Sequence, residues 1–283
     1  MFKLKEKQES MKLAAKEFAD GADIKTVMSK YGVSYSSVYN AIKRYGIDYK
    51  FTYGRKIFFN ENFFSDIKTE EQAYWLGFLF ADGCISKTDN GCSRENRITI
   101  AQSVKDFPHL KLFAESIDMS EKEIKFYTPN GSYSQTEMVK ININSMKMAD
   151  DLKSLGFSGK KDQRVNIPSI EKPLIRHFIR GFFDGDGCVS GNTFEITSSG
   201  EIPVRIQEIL ITELCFNKTK IRFTKNSYNL RYGGKNQLKK IFHYLYDDAN
   251  FYLKRKYDNF YTIAFATDET ISSSSNEELR TSI

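Results

Sequence analysis

The chain has 283 residues with 23 Phe and 16 Tyr, enough for one or two domains with a sizeable core and too aromatic for a disordered protein. No uncharged apolar run could span a bilayer, and Met1-Phe2-Lys3-Leu4-Lys5 opens no signal peptide, so an intracellular location, cytoplasmic or nucleoid-associated, is expected. Net charge is +6, and the acidic stretch from Ala266 leaves +9 on the rest of the chain, which suits a polyanionic partner without requiring one.

Residues 3 to 20 read as a helix with Leu4, Met11, Leu13, Ala14, Ala15 and Phe18 on helical spacing, stopped at Asp20-Gly21. Asp23 can cap a short second helix, Ile24 to Lys30. Tyr31-Gly32-Val33 is a turn, and Ser34 caps a third helix that ends at Gly46. This is a helix-turn-helix pattern over residues 1–46. Val27, Tyr31, Val33, Val38, Ala41 and Ile42 fall at core positions, with Met28 where a small residue is usual. Ser34, Tyr35, Ser36, Ser37, Tyr39, Asn40, Lys43 and Arg44 are then left outside, as in a major-groove reader. An ordinary three-helix bundle is the alternative.

Residues 47–68 read as a linker, with its Phe side chains packed on the next domain and some Lys and Arg free for a nucleic-acid backbone. Thr69-Glu70-Glu71-Gln72 is a capping box that starts a helix. Strands come next at Arg97 to Gln102, Glu123 to Thr128 and Met138 to Asn144, with helices at Phe107 to Ser116 and Met146 to Leu155. The order then recurs: helix Leu174 to Phe183, strand Phe194 to Ser198, helix Pro203 to Leu214, strands Ile221 to Thr224 and Tyr228 to Tyr232, helix Asn236 to Tyr246. Each half reads αββαββα, over about 69–168 and 169–265. The tail 266–283 is expected to be disordered.

Two motif copies anchor this repeat. Trp75-Leu76-Gly77-Phe78-Leu79-Phe80-Ala81-Asp82-Gly83-Cys84-Ile85-Ser86 aligns with Ile179-Arg180-Gly181-Phe182-Phe183-Asp184-Gly185-Asp186-Gly187-Cys188-Val189-Ser190 at a constant offset of 104. Gly77 with Ala81, and Gly181 with Gly185, put small residues on one helix face, so the two helices can pair closely. Phe78, Leu79, Phe182 and Phe183 point into their own halves. Gly83 and Gly187 read as helix-ending glycines.

Asp82 and Asp186 then lie side by side at helix C-termini, where the dipole and their mutual repulsion disfavour both charges. A divalent cation resolves this, and hard oxygen ligands suit Mg²⁺, which can activate water at two phosphodiesters. A pair of Asp residues capping turns is the equal alternative. Asp184 faces Phe80 of the first copy in the alignment, and reads as a solvent or hydrogen-bonding residue. The four cysteines form no Cys-x-x-Cys pair and the three histidines are scattered, which argues against zinc and for reduced, mostly buried thiols.

On these motifs the chain resembles the LAGLIDADG homing endonucleases of the single-chain, two-motif type, over about residues 69 to 263. Arg180 stands where the second motif usually starts with an apolar residue. The resemblance implies an α+β fold in which two pseudo-symmetric αββαββα repeats form antiparallel saddle sheets, here preceded by the small all-α domain. It implies Mg²⁺, with Mn²⁺ as a substitute, held by Asp82 and Asp186, catalytic roles for these acids, and basic residues near the scissile phosphates at Lys161 and Lys256. It also places a polar residue on the early strand at Gln102 and, more weakly, Ser198. The two lysines serve equally well as phosphate-positioning groups. Strand residues would read the major groove: Lys87, Arg94, Arg97, Gln135 and Lys140 in the first half, Arg222, Lys225, Asn229 and Arg231 in the second.

The expected function is a monomeric, site-specific endonuclease that cuts double-stranded DNA at a long, imperfectly palindromic site, in the manner of intron homing by a mobile element. A DNA-binding regulator on a non-cleaving scaffold is the main alternative, and retention of both Asp residues speaks against it. An RNA maturase fits an N-terminal helix-turn-helix less well. The ends Met1-Phe2 and Thr281-Ser282-Ile283 do not resemble the splice junctions of an intein.

Overall fold

A computed structural model describes residues 2–20, 22, 24–47, 57–87, 95–129 and 136–265, arranged as two compact units, Met1–Lys56 and Ile57–Ile283. The expected roles of Gly21, Asp23, Arg94 and Gln135, much of the linker, and the tail from residue 266 lie outside the described residues.

In the first unit, α1 (Phe2–Ala19), α2 (Ile24–Tyr31) and α3 (Tyr35–Tyr45) enclose Ala14, Ala15, Val27, Val38, Ala41 and Ile42. The Ser34 hydroxyl accepts from the Ser37 amide and fixes the start of α3. Gly46, at φ 58°, ends it in the left-handed conformation that glycine adopts freely. Glu17 on α1 takes Lys30 Nζ at 2.8 Å and the Tyr31 hydroxyl at 2.7 Å, tying α1 to α2. Leu13 is 53% exposed, so it faces solvent and not the core as its spacing suggested.

The second unit opens with Phe63, Phe64 and Ile67 buried in its core, while Phe58 is exposed. Its first repeat is α4 (Glu70–Asp82), β1 (Gly83–Lys87), β2 (Glu95–Ser103), α5 (Phe107–Ser116), β3 (Lys125–Tyr127), β4 (Met138–Asn144) and α6 (Met146–Ser154). The second is α7 (Lys172–Asp186), β5 (Gly187–Ser190), β6 (Thr193–Ser198), α8 (Ile202–Leu214), β7 (Arg222–Thr224), β8 (Ser227–Gly233) and α9 (Lys235–Tyr246). A further helix, α10 (Lys254–Phe265), had no counterpart among the expected elements. The spacing of Tyr257, Phe260, Tyr261 and Ala264 is nevertheless helical.

Each repeat is α+β, with a four-stranded antiparallel sheet, in the orders β1-β2-β4-β3 and β5-β6-β8-β7. One sheet face is covered by helices. In β2 the buried Ile98 and Ile100 alternate with Arg97, Thr99 and Ala101 on the uncovered face, and in β8 the buried Leu230 and Tyr232 alternate with Asn229 and Arg231. The capping box at Thr69 forms: Thr69 Oγ1 accepts from the Gln72 amide and Gln72 Oε1 accepts from the Thr69 amide. Among the described residues no helix is long and apolar enough to cross a membrane.

Candidate functional site

The two motif helices, α4 and α7, approach until backbone meets backbone. A Cβ on Gly77 would stand 1.9 Å from the Phe178 carbonyl oxygen, and one on Gly181 would stand 2.0 Å from that of Tyr74. Phe178 lies 104 residues beyond Tyr74, and Gly181 the same distance beyond Gly77, so the two contacts are equivalent under a pseudo-twofold rotation. One turn further on, a Cβ on Gly185 would fall 2.3 Å from that of Ala81. The helices can converge because these positions carry almost no side chain. α7 also runs through Asp186, past the expected end at Phe183.

This convergence delivers Asp82 and Asp186 as the last residues of the two helices. Gly83 and Gly187 do not end them as left-handed caps. Both are extended, at φ −80° and −92°, and already belong to β1 and β5. They are glycines for space: a Cβ would strike the Leu79 side chain at 2.6 Å or the Phe183 ring at 2.1 Å.

The acids have different partners. Gln102, on the covered side of β2, donates from Nε2 to Asp82 Oδ2 at 2.8 Å. Lys161 Nζ donates to Asp186 Oδ1 at 2.6 Å. The Ser198 hydroxyl is near enough to favour the ionised form of Asp186, yet Asp186 Oδ2 is buried with no hydrogen-bond partner. Burial pushes the pKa of Asp186 up to about 6, against the pull of Lys161 and with the further push of the Asp82 charge.

An orphaned carboxylate oxygen beside a second carboxylate is a fit for a hard divalent cation. Among the described residues no group of three or more His, Cys, Asp or Glu side chains is placed to hold a metal ion. Two carboxylates completed by water and substrate oxygens match the habit of Mg²⁺. The cysteines do not compete from within: Cys84, Cys188 and Cys215 are exposed, contrary to the expectation of buried thiols.

Behind each acid a cation grips the end of its helix. Lys256 Nζ donates to the carbonyls of Phe183, Gly185 and Gly187 at 3.0, 3.0 and 2.6 Å. Arg164, 2% exposed, donates to the carbonyls of Phe80 at 2.6 Å, Gly83 at 2.8 Å and Leu79 at 3.4 Å, and to Ser158 at 2.8 Å. Leu79 and Gly83 correspond to Phe183 and Gly187, so Arg164 is the counterpart of Lys256. By these contacts Arg164, and not Lys161, takes the place equivalent to that of Lys256. The same contacts redefine Lys256: its three donors are spent on carbonyls, and contact with a phosphate would require surrendering one. Among the described residues Lys161 has no counterpart at Asp82, where Gln102 stands instead. Arg164 carries no signal of its own in the sequence, because Lys160 and Lys161 stand in front of it in the same basic run.

Two residues that the motif made conspicuous are structural. Asp184 is 1% exposed, not a solvent-facing acid. It accepts from the hydroxyls of Tyr74 at 2.8 Å and Tyr246 at 2.9 Å and from the Leu253 amide at 2.6 Å. Burial pushes its pKa up. Arg180 is fully buried, more than a small departure from an apolar motif. It donates to Glu70 at 2.6 Å and to the carbonyls of Leu245 and Phe251.

The uncovered sheet faces extend from the acids, because β1 and β5 begin at the residue after each. Arg97 and Lys140 lie on the first face, and Arg222, Asn229 and Arg231 on the second. Lys87 ends β1 and Lys225 sits in the β7–β8 turn. Lys140 Nζ lies 4.3 Å from the Tyr127 ring centre. In the separate helical unit, Ser34, Ser36, Asn40, Lys43 and Arg44 are exposed, and Ser37 and Tyr39 are half-buried. The Tyr35 side chain lies outside the described residues.

Comparison with known proteins gives a match of the LAGLIDADG-like domain model to residues 173–246. The replication factor C small subunit of Methanocaldococcus jannaschii is 28% identical over 181 residues, which is 63% of this chain and 9% of that protein. The probable translation initiation factor IF-2 of the same organism is 28% identical over 200 residues, 68% of this chain and 15% of that protein. The chain thus spans less than a fifth of these relatives. Among solved structures, the I-LtrWI LAGLIDADG homing endonuclease bound to target DNA has a TM-score of 0.48 at 14% identity, covering 76% of this chain and 96% of that one. The LAGLIDADG meganuclease I-AabMI bound to uncleaved DNA has a TM-score of 0.43 at 16% identity, covering 71% and 91%.

Proposed function

We propose that this chain, which carries a LAGLIDADG-like domain over residues 173–246, is a site-specific endonuclease that hydrolyses one phosphodiester in each strand of a DNA duplex. The observation that carries the reading is the acid pair: Asp82 and Asp186 end two converging helices, and Asp186 Oδ2 is buried without a partner. The relatives support it indirectly. A replication protein and a translation factor share a segment with this chain but not a task, so the likeness follows the segment.

Asp82 and Asp186 would hold Mg²⁺, or Mn²⁺ in its place, and the bound ion supplies charge neutralisation at the phosphodiester and activation of the attacking water. Gln102 fixes the Asp82 carboxylate. Lys161 keeps Asp186 ionised and brings positive charge to that side of the site. Lys256 and Arg164 hold the helix ends, so the acids stay in place as charge builds. The uncovered faces then lie along the duplex on either side of the cut, where Arg97, Lys140, Arg222 and Arg231 meet it. The faces differ in sequence, so the target is long and imperfectly palindromic and one chain suffices. Residues 1–46 add a helix-turn-helix contact through Ser34, Tyr35, Ser36, Ser37, Asn40, Lys43 and Arg44, joined to the nuclease domain 69–265 by the segment 47–68, of which Phe63, Phe64 and Ile67 pack into the core of the second unit.

The test is cleavage of duplexes selected from a random library, with Mg²⁺ or Mn²⁺. Asp82→Asn and Asp186→Asn should abolish cutting and retain binding, and removal of residues 1–46 should weaken affinity more than turnover. A wild-type protein that binds a selected duplex but never cuts it with either ion would be a regulator instead.

A further inference from the structure

The two uncovered faces differ in charge at the row that starts two residues after each acid. On the second sheet that row is Cys188, Glu195 and Arg231, which are successive cross-strand partners on β5, β6 and β8. On the first sheet the corresponding row is Cys84, Thr99 and Asn142. The first row is neutral, with Thr99 Oγ1 donating to Asn142 Oδ1 at 2.8 Å. The second holds an acid in a face otherwise set out for a polyanion.

Both oxygens of Glu195 are engaged within the sheet. Arg231 Nη2 lies 2.9 Å from Oε2, and Oε1 accepts from Asn229 Nδ2 and from Thr197 Oγ1. Asn229 Nδ2 also reaches Thr197 Oγ1 at 2.6 Å, which closes the cluster. The Glu195 side chain is 22% exposed and that of Arg231 46%, so the acid is the more buried member of the pair. A guanidinium neutralised by a carboxylate is a poor counterion for a phosphate. Its unused N–H donors are nevertheless held in a fixed plane, which suits a bidentate acceptor.

We propose that Arg231, braced by Glu195, reads a guanine in the half of the duplex that lies along the second sheet; this rests on the endonuclease reading above. In the major groove only guanine presents two adjacent acceptors, O6 and N7. Adenine pairs one acceptor with a donor, thymine one acceptor with a methyl group, and cytosine offers a donor. A cytosine amino group could seek Glu195, but Oε1 already accepts twice and Oε2 faces the Arg231 guanidinium. Arg231 is the base reader, and Glu195 a positioning residue. The equivalent base pair on the first sheet faces the Thr99–Asn142 pair, so the target should depart from two-fold symmetry at this position.

The experiment is selection of bound duplexes from a random library by the full chain without divalent metal, for wild type, Arg231→Ala, Glu195→Gln and Asn142→Ala. Wild type should enrich guanine at one position, by about 10- to 100-fold over other bases. Arg231→Ala should erase the preference there alone, and Glu195→Gln should blunt it at the same position. Asn142→Ala should alter a position on the opposite side of the cut, which identifies the half-sites. If Arg231→Ala instead weakens all sequences alike and flattens the salt dependence, Arg231 contacts phosphate and the proposal fails. An unchanged selection profile in that variant also overturns it. A wild type that selects no sequence overturns the endonuclease reading, and this one with it.

Discussion

Replacing Arg164 by Met tests whether the helix-end grip positions the acids. The guanidinium is buried and holds the carbonyls of Phe80, Gly83 and Ser158 at 2.6 to 2.8 Å, with Leu79 at 3.4 Å. Leaving two or three buried carbonyls without donors costs about 1–3 kcal/mol each. Against this, burial draws the Arg164 pKa down from 12.5 to about 10, a desolvation cost of about 3 kcal/mol that Met does not bear. The net loss should be about 2–3 kcal/mol, which for a unit of this size lowers Tm by about 5–10 °C. Calorimetry without divalent metal reads that term. Cleavage well below Tm reads the other: with the α4 end loosened, Asp82 should need more Mg²⁺ for half-maximal rate. Arg164→Lys, which keeps a cation at the site, should recover much of both. A variant that loses stability but keeps the wild-type Mg²⁺ midpoint would show that Arg164 holds the fold and does not position the site.

Two further outcomes are expected. Gly185→Ala puts a Cβ 2.3 Å from that of Ala81 and should depress Tm and cleavage together, with Ala81→Gly restoring both in the double variant; absence of rescue would mean that the helices do not meet there. His109 is buried and neutral, and burial lowers its pKa from 6.5 to about 3. A histidine with a depressed folded-state pKa contributes stability that is complete above pH 6.5 and lost as pH falls towards 3, by at most about 5 kcal/mol. Urea unfolding of wild type and His109→Gln should therefore converge between pH 7.5 and pH 5, and a constant gap would contradict the assignment.

Much of the site was legible because it is local. Caps, strand alternation and the spacing of Gly77, Gly181 and Asp82 with Asp186 are each set within a turn or two of chain, and the repeat doubled every signal. The parts that escaped depend on partners far away in sequence. Arg164 meets carbonyls more than 80 residues earlier, and Arg180 meets Glu70 across 110 residues. No local pattern marks a buried cation whose partners are backbone oxygens. Gly83 and Gly187 differ from expectation for a similar reason. A glycine demanded by a neighbouring side chain has the same letter as one demanded by φ, and only packing tells them apart.

The departures from symmetry along the helix seam also constrain how such a chain can be remade. Asp184, Arg180 and Gly185 have their counterparts in Phe80, Leu76 and Ala81, while Tyr74 and Glu70, which satisfy the first two, correspond to Phe178 and Leu174. A second repeat paired with its own copy would bury two guanidinium groups and two carboxylates with neither Glu70 nor Tyr74 to receive them. A first repeat paired with its own copy would set Ala81 against Ala81. The halves are therefore no longer interchangeable parts. Recombination that grafts one half of this chain onto another lineage must carry the Glu70–Arg180 and Tyr74–Asp184 pairs as linked traits, or supply both members anew.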